Sequence, residues 1–392
     1  MSSIRWKLYL TNFFLGAGLY SSIEVLYLNS HNISAYMVSV LILFIPVCTA
    51  IFEIPTGIIG DYLGRVAIFR LTFISFFVGM VIIATSKNLP MFFLGYSFEA
   101  LGYSFYSGNS ESLLFESCQK ENIDANKAMS NFYSTLTVGY IFSGVFVFIL
   151  SNMTNVAILK VAIYGTLVLR FSAVLISIIA AKQNEEKIEQ KPRQILMKSI
   201  KLLLKDRLSV SICIYDAFGR LQYFLPILYQ PLLLTLGMKI EYIALIYSIS
   251  QLFQVIFQKV SVTFLSKFGY KRVMAVTPVV QSIAILGFLT KNVPLIIIGI
   301  ILVFSGISVK GQCTSLIRHL VVSDDIRATY MSLISLITLV LNSLYLNGVG
   351  FINDNNVTAA TIFLSVSLFT VSEIVVFVIN KNIKMIEVNN IE

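Results

Sequence analysis

Glu53-Ile54-Pro55-Thr56-Gly57-Ile58-Ile59-Gly60-Asp61-Tyr62-Leu63-Gly64-Arg65 lies between two long apolar runs. The stretch holds an acid, a proline, three glycines and an Asp–Arg pair four residues apart. Its flanks read as lipid-embedded helix. It therefore predicts a tight polar turn joining two membrane-crossing segments.

The flanking pattern extends over the chain. Of 392 residues, 57% are hydrophobic and 12% charged, and the mean hydropathy is +0.82. Soluble domains carry about a quarter charged residues. The apolar runs exceed the roughly 18–20 residues that cross a bilayer, and they recur too often for one anchor. Backbone groups in lipid must be satisfied within the protein, which leaves helix bundles and closed barrels. Continuous rather than alternating runs select helices. The fold class is therefore an all-α membrane protein. Twelve transmembrane helices are predicted, at 8–28, 36–57, 67–86, 91–114, 128–151, 157–181, 208–236, 241–265, 273–290, 294–317, 328–350 and 358–380.

The loops assign the sides. One side carries Arg5, Lys7, Arg65, Arg70, Lys120, Lys127, a dense central cluster, Lys267, Lys271, Arg272, Arg318, Arg327, Lys381 and Lys384. The other carries only Lys87, Lys239 and Lys291. This bias predicts cytoplasmic termini. The net charge of +9 thus reads as topology and not as a nucleic-acid surface. Compact loops and an Ile-, Asn- and Lys-rich composition point to a bacterial plasma (inner) membrane. The N-terminus enters its first span without a cleavage-site pattern, so it reads as a spanning helix and not a signal peptide. Cys48, Cys118, Cys213 and Cys313 fall on different runs without CxxC spacing and read as small buried hydrophobes. No metal or cofactor is expected.

The organisation is six spans, a break and six spans. Residues 1–181 form an N-terminal six-helix bundle, 182–207 a cytoplasmic linker and 208–392 a C-terminal bundle. In the linker, Gln194, Lys198, Lys201 and Lys205 share one helical face, with Leu196, Ile200, Leu203 and Leu204 on another. That pattern fits a basic amphipathic helix on anionic lipid; the alternative is a solvated linker. The halves repeat. The turn at Leu63-Gly64-Arg65 has a worn counterpart at Phe268-Gly269-Tyr270-Lys271-Arg272, and both fourth spans end in a Ser-Leu pair before an acidic loop. Duplicated bundles with matching turns are a common plan of secondary transporters.

Gly57-x-x-x-Asp61-x-x-Gly64-Arg65, between the second and third spans, resembles the loop signature of the major facilitator superfamily. The six-plus-six plan with a basic central loop is similar to the same family over the whole chain. The resemblance implies two pseudo-symmetric bundles that rock to give alternating access. It implies a cavity lined by the first, fourth, seventh and tenth spans, with the third, sixth, ninth and twelfth as scaffold. The sequence departs from the family pattern in three places. Val66 follows Arg65 where a basic residue is usual. Phe98-Glu99-Ala100-Leu101 stands where many drug–proton antiporters carry an arginine. The fifth span offers Gly139 and Gly144 without a Gly-Pro motif. These departures bear on proton-coupled export and leave the family resemblance intact.

Candidate site residues follow. Glu53, Gly57, Asp61, Gly64 and Arg65 are assigned to a cytoplasmic gate, since the family's turn holds the two bundles together in one state; the alternative is a topology marker. The C-terminal copy has Ser266 and Lys267 where the acid would stand, so the acid-bearing latch is expected on one side only. Tyr96, Glu99, Tyr103 and Tyr106 are spaced 3, 4 and 3 along the fourth span and share a helix face. Gly16, Tyr20, Glu24 and Tyr27 make a similar stripe on the first span. Tyrosine supplies a flat apolar face and a hydroxyl, and a carboxylate supplies charge and can take a proton. Intramembrane acids are functional candidates. Tyr20, Glu24, Tyr96, Glu99, Tyr103 and Tyr106 therefore form a candidate substrate or proton site. Glu24 falls near the outer end of its span and is alternatively a rim residue. Asp216 and Arg220, four apart on the seventh span, make a charge pair in the inner cavity, either a gate or a self-neutralised structural pair. Arg170 and Glu373, on scaffold spans, are each expected to pair structurally with neighbours.

His31 and His319 lie near loops on opposite sides, and no Walker loop is present, so an enzyme is not expected. The partners expected are a small-molecule substrate, membrane lipids and protons as coupling ion; the chain is expected to be a monomer. The leading reading is export of a small amphipathic compound such as a drug or antibiotic, by proton antiport. The alternatives are an uptake permease for a nutrient and a membrane sensor or binding protein that does not transport.

Overall fold

Apolar runs fold as helices, and no strand occurs among the described residues. The structure is a computed structural model. It describes residues 4–107, 109–179, 207–321 and 327–389; within these, side chains at 54, 57, 58, 60–62, 120, 125, 126, 262, 315–332 and 382–389 are not described. The expected linker helix, Gln194 to Lys205, lies outside the described residues.

The first span consists of α1 (Ile4–Gly16), a 3₁₀ turn at Leu19–Ser22 and α2 (Glu24–Ser30). α3 (Ala35–Leu63) and α4 (Arg65–Thr85) are the second and third. α5 (Leu89–Tyr106) and α6 (Asn109–Glu121) make the fourth and its extension. α7 (Ala125–Ile149) and α8 (Asn155–Ile178) follow. The seventh is α9 (Arg207–Gly219) with α10 (Leu225–Thr235). α11 (Ile240–Leu286) runs through the eighth and ninth, and α12 (Val293–Val321), α13 (Arg327–Asn355) and α14 (Val357–Asn389) complete the chain.

Among the described residues, nine helical stretches are long and apolar enough to cross a membrane. They coincide with the second, third, fifth, sixth and eighth to twelfth expected spans. Each of the first, fourth and seventh is two helices, which corrects the unbroken spans expected at 8–28, 91–114 and 208–236. The pieces of the first and seventh are too short, whereas α5 has 18 residues and is made less apolar by Tyr96, Glu99, Tyr103 and Tyr106. The causes of the breaks are local. Gly16-Ala17-Gly18 places two glycines where each costs a helix about 1 kcal/mol relative to alanine. Ser107 to Asn109 has turn composition. α9 ends on Gly219, a poor helix former, and Pro226, which lacks an N–H, sits in the first turn of α10 where none is needed.

The quoted turn also narrows. α3 stays helical to Leu63 despite Pro46 and Pro55. Gly64 alone leaves the helix, at φ 82° and ψ 157°. Gly269 kinks α11 at φ 74° and ψ 152°. Both sit in a region essentially reserved for glycine. The repeat read from Leu63-Gly64 and Phe268-Gly269 is thus the same backbone event twice.

The described residues group into two compact units, Met1–Ile188 with Gln230–Leu252, and Glu189–Tyr229 with Phe253–Glu392. In the first, α1 packs on α7 and α8, and α4 on α5 and α8. Its core holds Leu8, Leu15, Phe69, Phe73, Phe76 and Phe132. In the second, α9 packs on α12, α13 and α14, around Ile212, Tyr215, Met274, Cys313 and Val376. α1 and α9 are thus each surrounded by longer helices of their own unit. Val168, Phe171, Leu175 and Phe377 are exposed apolar residues, as lipid-facing positions are.

Candidate functional site

Interrupting a helix in lipid frees backbone groups that need partners. The break in the first span finds them on α7 and α8. Ser143 Oγ donates to the Gly18 carbonyl at 2.9 Å. The Tyr20 N–H donates to Thr166 Oγ1 at 2.9 Å. Gln230 Nε2 donates to the Ser22 carbonyl at 3.1 Å within the same unit. These bonds fix the 3₁₀ turn and so aim Tyr20 and Glu24.

Three of the stripe residues meet there. Tyr96 Oη donates to Glu24 Oε1 at 2.6 Å. Tyr20 and Tyr96 share a hydroxyl bond of 2.9 Å. Tyr96 has one proton and spends it on the carboxylate, so Tyr20 is the donor. The result is a directed chain, Tyr20 to Tyr96 to Glu24. Both tyrosines are buried, and Tyr27 packs edge-on against Tyr20 at 5.4 Å between ring centres.

The rest of the stripe goes elsewhere. Glu99 Oε2 pairs with Arg170 Nη2 of α8 at 3.3 Å, and both residues are buried. The Arg170 guanidinium also lies 4.6 Å from the Phe76 ring centre. Glu99 Oε1, Arg170 Nε and Arg170 Nη1 have no hydrogen-bond partner among the described residues. Tyr103 packs on Phe76 at 4.8 Å. Tyr106 Oη donates to Asn12 Oδ1 at 2.7 Å. Asn12, fully buried, in turn donates to the Thr135 hydroxyl at 3.3 Å. Asn12 was legible in principle, because it extends the Gly16, Tyr20, Glu24 spacing one turn back.

At the opposite end of α5 from Glu24, Arg65 Nη1 pairs with Glu116 Oε1 of α6 at 2.5 Å. Asn109 Nδ2 donates to the Arg65 carbonyl at 3.0 Å. Glu53 is half-buried. One turn on, Thr56 and Ser104 share a hydroxyl bond of 2.6 Å. The side chain of Asp61 and the surroundings of Gly57 lie outside the described residues. Glu116 has no sequence signal, because its partner sits two helices away.

The second unit holds a cavity of about 430 Å³ between α9, α11 and α12. Asp216, Arg220 and Lys310 carry its charges. Asp216 Oδ2 and Arg220 Nη2 are 4.0 Å apart. Gln222, Gln254, Gln258 and Gln312 present amides to the same space. The break in the seventh span supplies part of this wall. Asn342 Nδ2 of α13 donates to the Arg220 carbonyl at 3.1 Å and also meets the Ala217 carbonyl. An asparagine thus holds the seventh span's interruption as Ser143 and Thr166 hold the first.

Interrupted helices whose freed backbone is secured by neighbours mark substrate and ion sites in transporters. The major facilitator superfamily model matches residues 8–378. The chain belongs to the major facilitator superfamily. It is a multi-pass membrane protein of a transporter family and not an enzyme. No curated protein matches it. Among solved structures it is similar to a mutant of the nucleoside transporter NupG, at TM-score 0.82 and 14% identity over 96% of this chain and 99% of that one. It is similar to a POT family transporter in complex with 5-aminolevulinic acid, at 0.75 and 11% over 96% of each chain. A D-xylose–proton symporter aligns at 0.69 and 14%, covering 94% of this chain and 97% of the other. At these identities the likeness is one of fold.

Proposed function

We propose that this superfamily member moves a small polar solute across a bacterial inner membrane by alternating access, as a monomer with both termini cytoplasmic. The halves 1–181 and 208–392 would be the moving bundles, joined by 182–207. The observation that carries the reading is the cavity beside the seventh span's break, whose amides and charges suit a hydrogen-bonding solute. Uptake is favoured because proteins of the same shape carry nucleosides and D-xylose. Glu53, Gly57, Asp61, Gly64 and Arg65 are assigned to the cytoplasmic gate, with Glu116 as Arg65's partner.

Export of an amphipathic compound by proton antiport is the second reading. It draws support from the Tyr20–Tyr96–Glu24 chain, an aromatic face ending on a carboxylate able to take a proton. Glu99 contributes less to that reading, since its carboxylate is engaged by Arg170.

Flux in proteoliposomes separates the two. Uridine, D-xylose, a dipeptide and ethidium are offered in each direction, with and without a protonophore. Uptake of a polar solute supports the first reading. Protonophore-sensitive ethidium export with no polar-solute flux replaces it with the second. Absence of flux for every solute rejects both.

A further inference from the structure

We infer that the cavity of the second unit binds a solute bearing a carboxylate, held by Lys310. The inference deepens the proposed transport of a polar solute and rests on it. Lys310 is 2% exposed, and its ammonium has no hydrogen-bond partner among the described residues. Its Nζ lies 3.7 Å from the ring centre of Tyr215 and interacts electrostatically with Asp216. A cation over an aromatic face is attracted by the negative face of the ring. Burying an ammonium forfeits its hydration, and its three donors go unused among the described residues. A buried ammonium with unused donors in a cavity wall suits a bound anion.

The cavity's charge selects the anion. Asp216 is the one acid lining it among the described residues, and it faces two cations, Arg220 at 4.0 Å and Lys310. Lys310 therefore leaves the charged wall one positive charge in excess. A monoanion cancels that excess, whereas a phosphate monoester dianion overshoots it. The glutamine amides offer donors and acceptors together, which suits hydroxyl groups on the remainder of the solute. The volume, about 430 Å³, falls within the range of small-molecule sites. The seat is also shaped for the lysine. A Cβ on Gly219 would lie 2.0 Å from Lys310 Nζ, so only glycine there leaves the ammonium its position. The chemical class is a small, preferably hydroxylated, carboxylate.

The test is the thermal unfolding midpoint of the purified full chain in detergent. L-lactate, benzoate, D-gluconate and D-glucuronate are compared with uncharged D-glucitol and methyl glucuronate, and with glucose 6-phosphate. At least one carboxylate should raise the midpoint saturably while its neutral counterpart does not, and the phosphate should be weaker. Lys310→Met should abolish the rise while unfolding at an equal or higher temperature without ligand, because a buried charge is gone. Gly219→Ala should weaken carboxylate affinity at least tenfold. An undiminished rise in Lys310→Met, an equal rise with D-glucitol, or no rise with any carboxylate overturns the inference. Uridine and D-xylose flux, run in parallel, keeps the two proposals apart. Neutral-solute flux with no carboxylate response removes this inference and leaves transport. Carboxylate binding with no flux of any solute does the reverse.

Discussion

Tyr96 reaches across from α5 to Glu24, the first residue of α2, and bonds its carboxylate at 2.6 Å. The fourth span thereby holds the far side of the first span's interruption, opposite the bonds from Ser143 and Thr166. Tyr96→Phe removes one hydroxyl, breaks both links of the chain and leaves the ring's packing. A hydrogen bond to a charged group contributes about 1.5–3 kcal/mol. The unfolding midpoint should fall by a few degrees, and flux should drop more than tenfold if the chain takes part in transport. Normal flux at a lowered midpoint would assign the chain to structure alone.

Glu99 and Arg170 form a buried pair with several unused polar atoms. Removing one partner of such a pair costs about 3–5 kcal/mol, whereas replacing both with apolar residues is often neutral or better. Glu99→Gln should therefore be strongly destabilised. Glu99→Leu combined with Arg170→Met should recover most of the loss. Thermal unfolding of the single and double variants measures this, and a double variant no better than the single would deny the pairing its structural role.

Gly64 and Gly269 share one backbone conformation. A side chain in that region costs on the order of 1–3 kcal/mol. Gly64→Ala and Gly269→Ala should each lower stability by about that amount, although no atom lies within 4 Å of a Cβ built at Gly269. Chemical denaturation of the two variants tests whether strain, rather than crowding, sets the effect.

The Arg65–Glu116 pair is about a third exposed at both ends. Pairs of that kind contribute roughly 0–1 kcal/mol. Glu116→Gln should then leave the unfolding midpoint almost unchanged. If the turn gates the cytoplasmic side, flux falls severalfold in the same variant. Equal flux would reduce Arg65 to a marker of topology.

Most of the architecture could be read from hydropathy. Nine spans stand where apolar runs of sufficient length stand, because lipid demands such runs whatever the packing. Gly64 and Gly269 could be read as a repeat because one backbone angle admits one residue type. The interruptions at Gly16 to Gly18 and at Gly219 could not, since averaging over a span-length window hides two glycines among leucines. The side-chain stripes were legible as faces, but spacing along one helix carries no information about the facing helix. Tyr96 found Glu24, Glu99 found Arg170 and Tyr106 found Asn12, all across different helix pairs. Lys310 stands inside the apolar run 294–317. Its place beneath Gly219 became visible only with the packing.

The interruption in the first span bears on how the chain is made. A ribosome delivers Gly18 and Tyr20 to the membrane long before Ser143 and Thr166. The carbonyl of Gly18 keeps the Ser21 amide at 3.1 Å, but until the sixth span arrives the amide of Tyr20 has no side chain to meet it in lipid. The segment must wait in water, at the interface or beside the insertion machinery. Insertion of this half thus ends with its beginning, and a nascent chain halted near Lys127 would expose its N-terminal segment to protease.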